Sequence, residues 1–288
     1  MMNNLKGHVK KGFTTIVLIM IISKAIAQVY DYTEPDISPN GKEIVFCSTN
    51  GDNNAIYTTS IDGSNPKRIV NLPEYESSPS WSPDGSKIIF YSMKENGESD
   101  IYVVDKDGNN LRDITSGKWP HVDGVNWIKK DLVLFSNGKF PSSNVYSFNG
   151  VDLDKVDQLT DTIGLNYGSD LHEDRLIYSV FSKLIKGLHM KNLSTGVTSK
   201  LIEHGERGKF SPNGKLVAYQ YRVDGMGQVH VLNPKSGTIT RLTDNFLSEL
   251  PTWTPNGKFI YYQCKSDGAH FSIWRMKRNG TKKVKVIG

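Results

Sequence analysis

Short apolar runs separated by polar turn signals alternate along the chain, and residues 79–115 show this pattern in its most regular form. The segment Ser82-Pro83-Asp84-Gly85 places Pro where a tight turn begins and Gly at the left-handed position that ends it. The runs Ile88-Ile89-Phe90-Tyr91 and Ile101-Tyr102-Val103-Val104 are too short for helices and are β-branched or aromatic throughout. A further turn at Asp107-Gly108 precedes a last short run. The stretch therefore predicts a four-stranded antiparallel unit.

The same plan recurs along the chain at intervals of 44, 46, 44, 39 and 43 residues. The residues aligned in this way, called register residues below, are Ile37, Trp81, Trp127, Leu171, Phe210 and Trp253. The third and fourth units lose the Pro-Gly turn and have Lys129-Lys130-Asp131 and His172-Glu173-Asp174-Arg175 in its place. Four-stranded units cannot bury both apolar faces alone, whereas six packed around an axis can. The pattern predicts an all-β fold, a six-bladed β-propeller of four-stranded antiparallel blades.

Two arrangements could close the ring of blades. The segment Gln28 to Glu34 could complete the last blade by strand exchange, or Val284 to Ile287 could be the outer strand of a self-contained last blade. The sequence leaves both open.

The repeated marks W-S-P-D-G, I-x-F, I-Y, D-G and L-T resemble the β-propeller repeats of TolB-type proteins. Leu159-Thr160 and Leu242-Thr243 carry the last of these marks. The resemblance covers about residues 29–288 and only the propeller part of TolB, without the α/β domain that precedes it there. It implies recognition of a partner through the propeller in the periplasm or cell envelope.

The first 27 residues differ in character from the repeats. Lys6, Lys10 and Lys11 precede an apolar run from Phe13 to Ile22, and Ala25-Ile26-Ala27 follows. This is typical of a secretory signal peptide over residues 1–27, with the propeller over 28–288. Because so short a run does not cross a bilayer core of about 30 Å, we expect an exported protein with no stable membrane span, and an uncleaved anchor is the alternative.

Charge limits the classes of partner to expect, and cysteine content limits the disulfides to expect. The net charge is +5, but residues 1–27 contain four lysines and no acid, so 31 basic and 30 acidic side chains remain, a net of +1. This balance gives no reason to expect nucleic acid as a partner. Cys47 and Cys264 are too few for a disulfide framework, and although ring closure could make them neighbours, we expect reduced thiols.

The sequence contains no pattern that identifies an enzyme. Gly-x-Ser-x-Gly, a phosphate-binding loop, His-Glu-x-x-His and Cys-x-x-Cys are all absent from the chain. We therefore predict no catalytic residue and no cofactor.

Histidines supply the alternative hypothesis, a cation-dependent lyase or hydrolase acting on oligosaccharides. His189 and His230 occupy strand positions that other units fill with Tyr or Trp, so we expect packed rings there. His121 and His204 lie in connections between units and His270 lies in a loop of the last unit. Because such connections and loops share one face of a propeller, these three could converge on a metal ion.

Charged residues provide the favoured hypothesis. The connection entering each blade tends to carry one just before the first strand, where a propeller approaches its axial channel, and aromatic residues lie nearby. The charged residues are Glu34, Glu76, Asp123, Arg207 and Glu249, and the aromatic residues are Tyr75, Trp119 and Tyr167. They predict a mostly acidic, aromatic-flanked mouth that binds a protein or possibly an oligosaccharide, unless they are simply solvated loop residues. We expect a non-catalytic, monomeric binding scaffold.

Overall fold

The computed structural model describes residues 30–49, 54–149, 152–223, 225–244 and 246–288. The signal-peptide prediction for residues 1–27 therefore lies outside the described part. Within it, the chain forms 24 strands in six four-stranded antiparallel sheets and no helix. The predicted all-β, six-bladed propeller is confirmed.

Each blade is a meander of four strands, with the first strand innermost. Blade 1 has β1 Asp31–Ile37, β2 Glu43–Thr49, β3 Asn54–Ser60 and β4 Lys67–Arg68. Blade 2 has β5 Tyr75–Trp81, β6 Lys87–Met93, β7 Ser99–Asp105 and β8 Arg112–Asp113. Blade 3 has β9 Val122–Lys129, β10 Leu132–Asn137, β11 Asn144–Asn149 and β12 Asp152–Gln158.

The second half of the chain repeats this plan. Blade 4 has β13 Leu165–His172, β14 Arg175–Phe181, β15 Lys186–Asn192 and β16 Thr198–Ile202. Blade 5 has β17 Gly205–Phe210, β18 Val217–Val223, β19 Met226–Asn233 and β20 Thr238–Arg241. Blade 6 has β21 Ser248–Trp253, β22 Phe259–Cys264, β23 Ser272–Lys277 and β24 Val284–Ile287.

The repeated turn is held by its own side chains. Ser82 Oγ donates to Asp84 Oδ1 at 2.7 Å and accepts the Lys87 N–H at 2.9 Å. Gly85 follows with φ +71°, a left-handed conformation that glycine adopts without a Cβ penalty. This explains why a hydroxyl, an Asp or Asn and a Gly recur together in the sequence.

The Leu-Thr mark also has a structural cause. Thr160 Oγ1 accepts the Val145 N–H at 2.9 Å, and Thr243 Oγ1 accepts the Val229 N–H at 2.9 Å. The threonine lies just beyond the end of the fourth strand, and its hydroxyl accepts a hydrogen bond from a backbone N–H of the third strand.

Apolar side chains pack between neighbouring blades. Between blades 1 and 2, Val45 and Ile56 lie in one cluster with Trp81 and Phe90. Full burial of side chains of this kind stabilises the fold by about 1.5–3 kcal/mol each. The core is therefore a ring of inter-blade layers that encircles the axis.

Ring closure uses the same kind of packing. β24 belongs to the sheet of blade 6 and β1 to that of blade 1, so the last blade is self-contained and no strand formed by the described residues is exchanged. Ile44 and Phe46 of blade 1 pack with Tyr261 and Ile273 of blade 6. The backbone N–H of Tyr32 donates to the Phe271 carbonyl at 2.9 Å across the same boundary.

The cysteines and two histidines lie in the core. Cys47 and Cys264 are buried free thiols in separate apolar clusters, which confirms the expectation of reduced thiols. The His189 ring lies 6.0 Å from that of Tyr178, and the His230 ring lies 5.6 Å from that of Tyr219. Burial lowers the pKa of both imidazoles, as expected of packed neutral rings.

Candidate functional site at the axial channel

The first strands of the blades surround an axial channel. It encloses about 710 Å³ of space not filled by atoms, including solvent at its open end, and all six innermost strands contribute to its lining. The blade-to-blade connections and the loops between second and third strands lie at one end of this channel, because successive strands run antiparallel. We call that end the mouth.

An irregularity recurs at one place in all six innermost strands. The pairing with the second strand shifts there, and one residue has positive φ. These residues are Glu34, Ser78, Gly124, Gly168, Arg207 and Leu250, three places before the register residues. A bulge re-aims the side chains on either side of it. It places Glu34 and Arg207 on the channel wall.

A ring of side chains lies two residues further along. It consists of Asp36, Ser80, Asn126, Asp170, Lys209 and Thr252, each one place before a register residue. Ser80 Oγ donates to Asn126 Oδ1 at 3.2 Å, and Asn126 Nδ2 donates to Asp170 Oδ1 at 3.2 Å. These bonds link consecutive blades around the axis.

The two carboxylates of this ring are bound by the protein itself. Asp36 Oδ2 accepts the Trp81 N–H at 3.0 Å, and Asp170 Oδ2 accepts the Phe210 N–H at 2.7 Å. Burial raises the pKa of both carboxyl groups, and the Lys209 ammonium partly opposes that rise. Both side chains therefore join blades.

Glu34 is also engaged within the fold. Its Oε2 accepts the Ser78 N–H at 2.6 Å, and both of its carboxylate oxygens accept from Ser77 Oγ, at 3.0 and 2.8 Å. The Cys47 thiol donates to Oε2 at 3.3 Å. Although Glu34 lines the channel, its carboxylate links blade 1 to blade 2.

Glu76 lies two residues before the bulge, where side chains point between blades. It is 0% exposed, its Oε1 accepts the Leu72 N–H at 3.0 Å, and its Oε2 has no hydrogen-bond partner. Burial raises the pKa of Glu76 to about 7. A carboxyl group buried in this way keeps its proton to a higher pH than a solvent-exposed carboxyl group does.

Glu249 is 6% exposed and contacts Arg222 and Gln263. Trp119 packs its indole ring against Phe135 and Tyr146, with centroid distances of 5.4 and 5.1 Å. Neither Glu249 nor Trp119 lines the channel, so both occupy structural positions in this fold.

The remaining predicted residues lie around the mouth. The Arg207 guanidinium lies over the Tyr167 ring, 5.3 Å from its centroid, and is attracted by Asp123 and Glu34. Asp123 is exposed and Tyr75 is 44% exposed, and partial burial together with the nearby Glu34 carboxylate raises the pKa of Tyr75 to about 12. We call Tyr75, Asp123, Tyr167 and Arg207 the mouth residues.

The prediction placed the charged residues just before the first strands, whereas the structure places them inside these strands at three different register positions. Glu76 lies five places before its register residue, Asp123 and Glu249 four, and Glu34 and Arg207 three. Because alternate side chains face opposite sides of a strand and the bulge adds a residue, these offsets give different environments. The sequence analysis missed Asp36 and Lys209, although the register alignment would have located them.

The three candidate metal ligands occupy separate environments. His204 contacts the Tyr221 ring, with centroids 6.3 Å apart, whereas His270 Nδ1 lies 3.8 Å from Asp31 Oδ1. The His121 backbone pairs with Ser99. Among the described residues, no group of three or more His, Cys, Asp or Glu side chains could hold a metal ion, so the structure does not show the convergence of histidines that the alternative hypothesis requires.

The family model for the TolB beta propeller domain matches residues 10–169, which is more than half of the chain. The chain belongs to this family. The TolB-type resemblance of the repeats is therefore confirmed.

Relatives and solved structures agree with the TolB-family assignment. Dipeptidyl-peptidase 5 of Porphyromonas endodontalis is 25% identical over 241 residues, covering 73% of this chain and 33% of the relative. The Tol-Pal system protein TolB of Syntrophus aciditrophicus is 35% identical over 77 residues, covering 25% of this chain and 17% of the relative. The crystal structure of TolB from Acinetobacter baumannii has a TM-score of 0.71 at 19% identity, covering 90% of this chain and 63% of that one.

These coverages mean that this TolB-family chain spans about a third or less of the curated relatives it matches. A search of the described residues for a helix long and apolar enough to cross a membrane found none.

Proposed function

We propose that this chain is an exported, non-catalytic propeller that binds a partner protein at the channel mouth. One observation carries the proposal. Most carboxylates around the channel are bound by the protein's own donors, whereas Asp123 and the Arg207 guanidinium have no hydrogen bond or ion pair to another side chain in the described part of the chain. Charged groups without hydrogen-bond partners, at a channel mouth that also carries the exposed Tyr75, are suited to recognition.

The comparisons support recognition as the general role. Two of the matched relatives are Tol-Pal system proteins, and the propeller is the part of TolB that this chain resembles. The same likeness, together with the predicted signal peptide, supports a periplasmic or other envelope location. We propose the protein as a binding component at the cell envelope.

Capture of partners from envelope extracts tests the proposal. The full-length chain would be compared with Tyr75→Ala and Asp123→Lys at the mouth, and with Asp131→Lys as the control. Asp131 is exposed in the turn between β9 and β10, at the opposite end of the channel, and its substitution makes the same charge change. We expect both mouth variants to lose the same partner and the Asp131→Lys control to retain it. Retention by both mouth variants would contradict the proposal.

The likeness to dipeptidyl-peptidase 5 supports a second candidate, in which the chain acts as the propeller of a peptidase. This candidate predicts that the purified chain, mixed with a hydrolase that supplies the catalytic domain, cleaves dipeptidyl chromogenic substrates. Because the chain has no Gly-x-Ser-x-Gly, we expect no cleavage by the chain alone. Cleavage abolished by a serine-hydrolase inhibitor would favour the peptidase.

A further inference from the structure

We infer that the channel contains a binding site for a carboxylate group of a peptide, formed by Arg207 and Lys209. The inference rests on the proposed function and names the chemistry of the partner. Both residues belong to β17, and both line the channel. Two residues along a strand separate their Cα atoms by about 6–7 Å, so their long side chains can reach one ligand group.

Neither cationic group forms a hydrogen bond or an ion pair within the described residues. The Arg207 guanidinium lies over the Tyr167 ring and is attracted through space by Asp123 and Glu34, and the Lys209 ammonium has no direct polar partner. A guanidinium carries five N–H donors and an ammonium three, so unused donors face the channel. Lys209 influences Asp36 and Asp170 through space without contacting either.

Two carboxylates that line the channel, Glu34 and Asp36, already accept hydrogen bonds from backbone donors, whereas Asp123, which attracts Arg207, does not line it. Asp36 accepts from the Trp81 N–H at 3.0 Å, and Glu34 accepts from the Ser78 N–H at 2.6 Å. The channel therefore combines occupied acceptors with unoccupied cationic donors. An incoming carboxylate satisfies those donors, and charge-assisted hydrogen bonds of this type are stronger than neutral ones.

The channel wall favours a peptide over a sugar. Pro35, Pro79 and Pro251 line it, together with Val125 and Leu250. The neutral polar side chains of the ring make bonds between blades, as Ser80 does with Asn126 at 3.2 Å. A sugar would find few free partners for its hydroxyl groups, whereas an apolar peptide segment that carries one carboxylate matches both the wall and the cations.

Nuclear magnetic resonance titration of the isotope-labelled full chain tests this inference. The probes are acetyl-Pro-Ala-Leu with a free C-terminal carboxylate, the same peptide as its amide, acetyl-Pro-Glu-Leu-amide, and trigalacturonate, each at millimolar concentration. The two carboxylate peptides distinguish a chain terminus from an acidic side chain. Trigalacturonate represents an acidic sugar, the other source of carboxylates.

The variants are Arg207→Gln, Arg207→Lys and Lys209→Gln, with Arg112→Gln on exposed strand β8 as the matched control. We expect at least one carboxylate peptide to bind about tenfold or more tightly than the amide. Arg207→Gln and Lys209→Gln should each remove most of this difference in affinity between the carboxylate peptide and the amide. Arg207→Lys should retain part of the difference, and Arg112→Gln should retain all of it. The unperturbed signals of each variant show whether it remains folded.

Equal binding of carboxylate and amide peptides, no binding of either, or binding of trigalacturonate alone would overturn the inference. The proposed function would survive any of these results if Asp123→Lys still abolished capture of the envelope partner. If capture failed while carboxylate peptides bound through Arg207, the proposed function would fall and the site would remain.

Discussion

The Glu34 carboxylate accepts a hydrogen bond from the Ser78 backbone N–H at 2.6 Å and so joins blade 1 to blade 2 beside the channel. Both residues occupy the bulge of their innermost strands, with φ of 54° and 52°. A side chain that sequence reasoning assigned to recognition therefore also stabilises the ring.

Replacing Glu34 by Ala is expected to destabilise the fold by about 1–3 kcal/mol, because the Ser77 hydroxyl and the Ser78 N–H lose their acceptor. Chemical denaturation of the two proteins measures the difference in the free energy of unfolding. Glu95→Ala, at an exposed residue of the same charge, is the control and should change little. Equal stabilities of Glu34→Ala and the control would show that the link between blades contributes nothing.

Glu76 is expected to make stability depend on pH. Burial raises its pKa from 4.5 to about 7 in the folded chain, so between these values the folded state holds a proton that the unfolded state has released. Stability should therefore fall as the pH rises through this window, by roughly 1–3 kcal/mol from this one group. Glu76→Gln should remove that part of the slope. An identical pH dependence in the two proteins would show that Glu76 is ionised in the fold.

Closure without strand exchange can be tested with two glycines in equivalent turns. Gly63 and Gly196 have φ of +86° and +74°, so alanine is strained at both, by about 1 kcal/mol or more. A Cβ at Gly63 would lie 2.1 Å from the Val286 carbonyl oxygen of blade 6, whereas a Cβ at Gly196 would have no neighbour within 4 Å. Gly63→Ala should therefore lower the melting temperature well below that of Gly196→Ala. Similar melting temperatures would contradict the packing of blade 1 on blade 6.

The repeat made much of this fold predictable. The register residues marked the ends of the innermost strands or lay close to them, because the Pro-Gly turn and the β-branched runs depend on local conformation. Val284 could not be assigned from sequence, since β24 and an exchanged N-terminal strand would satisfy the same sheet edge. In the structure, Val284 belongs to the outer strand of blade 6.

The site was less predictable than the fold. Glu76 and Glu34 both precede a first strand's register residue, yet one is buried between blades and the other lines the channel. The bulge position, which Glu34 occupies in blade 1, is a glycine in only two blades, so the sequences of the other four blades give no sign of a bulge. Lys209 was discoverable because it lies directly before Phe210 in the alignment.

Site-specific photo-crosslinking in cells tests whether a partner binds at the mouth. A photoreactive amino acid with an aromatic side chain would replace Tyr75 at the mouth in one protein and Asp131 at the opposite end of the channel in another. We expect a partner to crosslink at Tyr75 and the crosslink to be lost when Arg207→Gln is added. No crosslink is expected at Asp131. A partner crosslinked at Asp131 and not at Tyr75 would contradict binding at the mouth.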